Sequence, residues 1–112
     1  MDILFRTKKL KKLCSYSKVA SKQLGADQAR RLSRRLDDMR AATNLGVLRP
    51  PFPGRCHELK GNRAGQLSLD VVHPYRLIFI PSDDPPSTTS DGGLDWDLVT
   101  SVTITGIEDT HE

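Results

Sequence analysis

The stretch that most limits what this chain can fold into is Gln66 to Ile80, where two strand-like runs of different character are parted by a few residues. From Gln66 to Val71 the apolar Leu67, Leu69 and Val71 alternate with Gln66, Ser68 and Asp70, the period of a strand with one buried face. From Tyr75 to Ile80 the run is apolar on both faces except at Arg76. That is the pattern of a central strand with one charged side chain in dry surroundings, and such an arginine requires an anion beside it. His73 and Pro74 fall in the turn between the two runs, and a third strand-like run starts at Arg55. The chain is therefore built around a sheet whose middle carries His57, Lys60, Arg63 and Arg76, a set able to hold and act on a phosphodiester.

What flanks this centre sets the fold class. Ile3–Phe5 is short and apolar and predicts an added edge strand. Arg6–Tyr16 places Leu10 and Leu13 three apart among lysines, the narrow apolar stripe of a basic helix that Lys18–Leu24 continues. Gly25 supplies a stop before a new start at Asp27. Ala29, Leu32, Leu36 and Met39 then recur at spacings of three, four and three, so Ala26–Thr43 reads as an amphipathic helix. Its Arg30, Arg31, Arg34 and Arg35 suit a solvated face with partners such as Arg34 and Asp38 better than a helix that reads a DNA groove.

Pro50, Pro51, Pro53 and two glycines make residues 44–54 the crossing from helices to strands. Residues 81–97, with three prolines, two glycines and five aspartates, form an exposed loop from which Trp96 folds back to the core. Val99–Ile107 closes the sheet, with Gly106 marking a bulge or bend. The expectation is an α+β domain over 1–112: two N-terminal helices packed on a small, mainly antiparallel sheet of about four strands.

At 112 residues the chain buries about two-thirds of its extended surface as one domain. It has no run of 18 apolar residues, and lysines interrupt its first apolar residues, which predicts a cytoplasmic chain with no membrane span. Cys14 and Cys56 lack the spacing of a zinc site and read as free thiols; no metal ligand set is expected. The net charge of +3 conceals an asymmetry. Residues 1–63 hold 16 Lys and Arg against 5 Asp and Glu, a net +11, and residues 64–112 hold one Arg against 9 acids, a net −8. So basic a half points to an anionic partner such as RNA or an acidic protein.

The run HELKGNRAGQLSLDVVHPYRLIFI, with a closing strand that ends in EDTH, resembles the HigB branch of the RelE/ParE toxin superfamily over nearly the whole chain. The segment of form HxLKGxRxGxxS is the most specific part. The resemblance implies a RelE-like microbial ribonuclease fold and a ribosome-dependent, metal-independent mRNA endoribonuclease that inhibits translation and needs no cofactor. It implies as partners a HigA-like helix-turn-helix antitoxin and mRNA on the ribosome, with operator DNA reached only through the antitoxin. Matched residue by residue, it implies catalytic roles for His57, Lys60, Arg76, Asp109 and His111. Arg63, Asn62 and Thr110 would contact substrate. Thr110 departs from the family, since many relatives carry Tyr there.

The chemistry agrees with these positions. RNA cleavage without a metal needs a base for the 2′-hydroxyl, an acid for the departing 5′-oxygen, and cations for charge building on phosphate. Histidine suits either proton role, and arginine can fork onto two phosphate oxygens. On a straight strand His57 and Lys60 face opposite ways, so either the turn at Gly61 rotates Lys60 or Lys60 belongs to a different surface. Two other classes share these features: a toxin of the same fold that inhibits gyrase without nuclease chemistry, and a nucleic-acid or partner-binding regulator.

Overall fold

The computed structural model describes residues 1–110. Three helices, α1 (Lys8–Ser15), α2 (Ser17–Leu24) and α3 (Ala26–Ala41), cover one face of a five-stranded sheet. The strands are β1 (Asp2–Phe5), β2 (His57–Glu58), β3 (Leu67–Asp70), β4 (Tyr75–Pro81) and β5 (Ser101–Asp109), in the order β1-β5-β4-β3-β2. Only β1 is parallel to its neighbour; the other pairs are antiparallel. The α+β expectation holds, with one strand more than about four and the first basic helix divided in two. The division falls at Tyr16, whose extended backbone (φ −121, ψ 113) ends α1 and starts α2. No Gly or Pro marks that break in the sequence.

Each helix follows from its residues. Thr7 caps α1 by accepting from the Leu10 N–H at 3.1 Å. Gly25 separates α2 from α3 at φ 86 and ψ 160, a conformation that side-chain-bearing residues rarely adopt. The stripe of α3, Leu32, Leu36 and Met39, is at most 1% exposed and packs on Leu67, Leu69, Leu77, Phe79, Val102 and Ile104 of the sheet. Asp38 pairs with Arg35 at 3.5 Å, where the sequence suggested Arg34. Arg35 is itself buried rather than solvated, and its Nε donates to the Asp70 carbonyl at 2.7 Å.

That bond is one of several that fix the β3 end of the sheet. The Gln28 side chain of α3 accepts from the Val72 N–H at 2.7 Å and donates to the Val72 carbonyl at 3.2 Å, so it grips the turn between β3 and β4. Gly54 (φ 109) accepts from the Asp70 N–H at 2.8 Å; a Cβ there would come within 2.8 Å of the Leu69 side chain. Trp96 returns from the exposed 81–97 segment to the core, as expected, and its Nε1 donates to Glu58 at 3.1 Å. Among the described residues no helix is long and apolar enough to cross a membrane.

Candidate functional site

Strand alternation sends Leu67, Leu77 and Phe79 to the helices and their neighbours to the opposite, open face. Register places two rows there. Ser68 on β3 lies between His57 on β2 and Ile78 on β4, and Ile78 faces Gly106 on β5. Two residues along, Asp70 pairs with Arg76, and Arg76 with Glu108. Ile78 and Leu59 are buried yet outside the main core cluster, as residues on this second face must be.

The presence of Glu108 on this face depends on a bulge. Val102 and Ile104 face the core, so unbroken alternation would send Gly106, Glu108 and Thr110 there as well. The register instead jumps from Ile104 opposite Phe79 to Gly106 opposite Ile78, leaving Thr105 as an extra residue. One inserted residue inverts every later side chain. Gly106 foretold this bulge in the sequence.

Asp70 and Thr110 hold Arg76 from two sides. Its Nε lies 3.5 Å from Asp70 Oδ1, and its Nη1 donates to Thr110 Oγ1 at 3.2 Å, with the side chain 18% exposed. The required anion is thus Asp70, which also accepts from Arg55 Nε at 2.6 Å. This pairing raises the Arg55 pKa, through the hydrogen bond first and Asp70 charge second. Arg63 is clamped by a fork onto Glu108, Nη2 to Oε2 at 2.9 Å and Nη1 to Oε1 at 3.3 Å, while its Nε is buried without a hydrogen bond. His57 Nδ1 lies 2.9 Å from the Arg55 carbonyl and 3.5 Å from Ser68 Oγ. A carbonyl accepts only, so Nδ1 carries a proton directed at Arg55.

The structure thus gathers His57, Arg63, Arg76 and Thr110 on one face. Lys60 is exposed, and because β2 ends at Glu58 and a 3-10 turn follows from Gly61 to Arg63, no straight strand opposes it to His57. Asn62 is exposed in that turn. Asp109 pairs with Tyr75, and alternation assigns it with Ile107 to the other face of β5. His111 lies outside the described residues. The sequence reading passed over Arg55, Asp70 and Glu108 as site residues. Asp70 had a signal, since it and Arg76 stand symmetrically about the 71–75 turn, where hairpin pairing makes them neighbours. Among the described residues no group of three or more His, Cys, Asp or Glu could hold a metal. Burial pushes the thiols of Cys14 and Cys56 up to about 11 and about 12, which makes them poor nucleophiles.

Three solved structures share the fold. A YoeB/ParE toxin from Agrobacterium tumefaciens superposes with a TM-score of 0.55 at 12% identity, over 99% of this chain and 100% of that one. The YoeB dimer and the YoeB–YefM complex from Staphylococcus aureus give 0.54 and 0.56, each at 17% identity over 100% of this chain and 98% of theirs. These likenesses define the α+β fold of the chain. Residues 3–85 match the family model of the HigB-like toxin, described as the RelE-like toxin of type II toxin-antitoxin system HigB. The chain belongs to that family. No curated protein matches its sequence.

Proposed function

We propose that this toxin is an endoribonuclease that cuts mRNA on the ribosome without a metal and so stops translation. The observation that carries the reading is Arg76, held on the open sheet face between Asp70 and Thr110 and sharing that face with Arg63 and His57. In the reaction the 2′-oxygen bonds to phosphorus as the bond to the 5′-oxygen breaks, leaving a 2′,3′-cyclic phosphate and a 5′-hydroxyl. His57 takes the 2′-hydroxyl proton on Nε2. Arg76 and Arg63 stabilise the charge that grows on the phosphoryl oxygens. Lys60 and His111 are the candidates for protonating the 5′-oxygen, Asp109 on the other face of β5 takes no part in this reading, and Asn62 and Thr110 contact the substrate backbone.

The protein acts in the cytoplasm, as its mRNA substrate requires. Its partner is a HigA-like helix-turn-helix antitoxin that covers the cationic face and links the toxin to operator DNA. The YoeB–YefM complex of a structural neighbour supports an antitoxin partner. The test is incubation with ribosomes paused on a defined message, followed by mapping of the 5′ ends. Wild-type protein is expected to cut the message, and Arg76→Ala to lose at least about a hundredfold in rate, as when an oxyanion-stabilising donor is removed. Intact message with folded wild-type protein would overturn the proposal.

A further inference from the structure

Among the described residues Arg55 is the one residue other than glycine with a positive φ, at 47. A side chain stays in that region only where its surroundings fix the backbone, and such residues gather at functional sites. Three contacts fix it here. The Gly54 carbonyl before it accepts from the Asp70 N–H at 2.8 Å, and Cys56 after it is 1% exposed in the core. The Arg55 carbonyl itself lies 2.9 Å from His57 Nδ1.

Extending the pairing of His57 with Ser68 by two residues sets Arg55 opposite Asp70. One row across the open face therefore runs Arg55, Asp70, Arg76, Glu108, with the charge alternating from strand to strand. The two arginines beside Asp70 do not share it equally. Arg55 Nε donates to Oδ2 at 2.6 Å, a short charge-assisted bond, whereas Arg76 Nε stands 3.5 Å from Oδ1. Oδ1 is buried and takes no hydrogen bond.

A buried carboxylate oxygen without a hydrogen bond gains by turning onto a neighbouring guanidinium, where two parallel bonds are available. The Arg55 bond to the other oxygen opposes that turn. Arg76 thus feels the charge of Asp70, which orients it, without being tied to Asp70 by a hydrogen bond. We infer that Arg55 is a positioning residue that holds the Asp70 carboxylate back from Arg76, so that Arg76 stays open to a phosphate. The inference deepens the nuclease reading and rests on it for what Arg76 does.

The experiment is a double-mutant cycle on ribosomes programmed with a defined message: wild type, Arg55→Gly, Asp70→Asn and the pair, compared by single-turnover cleavage. Arg55→Gly removes the guanidinium and suits φ 47, so the backbone keeps its course. It is expected to slow cleavage at least about tenfold in the presence of Asp70, and less than about twofold once Asp70 is Asn. Arg55→Gly that cuts as fast as wild type, or that loses as much in the Asn background, overturns the inference; the second result would mean that Arg55 meets the RNA itself.

Wild type that cuts no message overturns the nuclease reading instead. In that event, or where Asp70→Asn cuts too slowly to compare, the Arg76 Nε–H resonance decides. A downfield shift on Arg55→Gly that is absent from the pair supports the inference, since it reports the new bond to Asp70. A resonance that stays in place, or that shifts equally in the pair, overturns it.

Discussion

Asp70 is the residue on which the site turns, because three arginines reach it by different atoms. Arg35 binds its carbonyl, Arg55 its Oδ2, and Arg76 approaches its Oδ1. The first bond ties α3 to the end of β3, and the other two set the direction of a cation that the proposed chemistry uses. Sequence showed that Arg76 needed an anion, but naming it required a register, and alternation fixes a face without fixing the partner strand. Glu108 was hidden further, since the Thr105 bulge decides which way it points.

Residue-scale burial also sets a pH response. The Cys56 thiol, 1% exposed, is raised from 9.0 to about 12 by burial first and the Glu58 charge second. A raised folded pKa means that the folded state holds the proton more tightly, so this contribution is complete below about pH 9 and is lost as pH climbs from there toward 12. Urea unfolding midpoints should therefore fall between about pH 8 and pH 10.5, and less steeply in Cys56→Ala than in wild type. Parallel slopes for the two proteins would remove Cys56 from the cause.

At the scale of elements, helices declare themselves through local spacing and strands through partners. The stripe of α3 and the stop at Gly25 could be read directly, because each is settled within a few residues of itself. The break at Tyr16 could not, since no breaker residue causes it. Nor could β2, which is cut to His57–Glu58 when the chain turns into the 61–63 segment, or the parallel pairing of β1 with β5, a contact across the whole chain.

Gly25 gives this scale its test. A Cβ there would meet nothing within 4 Å, so any cost of Gly25→Ala is conformational rather than steric. At φ 86 and ψ 160 that cost is about 1–3 kcal/mol, to be read from urea unfolding. A variant as stable as wild type would show that α2 and α3 can join through a different turn.

Over the whole molecule, the charge asymmetry of the sequence becomes a division of labour. The basic half supplies the helices, β2 and the turn that carries Arg63; the acidic half supplies Asp70 and Glu108, which hold the cations of the open face. Composition therefore predicted an anionic partner but not where it would sit, because the arginines of α3 outnumber those at the site. Arg31 and Arg34 on α3 are exposed and line a separate hollow with Arg30, and the proposed chemistry assigns them no part.

That contrast supplies the most direct trial of the account: single-turnover cleavage of message on programmed ribosomes by Arg76→Ala and by Arg31→Ala, side by side. Each variant removes one positive charge, and Asp70 keeps Arg55 as a partner when Arg76 is gone. Arg76→Ala is expected to lose at least about a hundredfold in rate while Arg31→Ala stays near wild type. Equal losses, or an Arg76→Ala protein that cuts as fast as wild type, would contradict the claim that the chemistry belongs to the open face of the sheet.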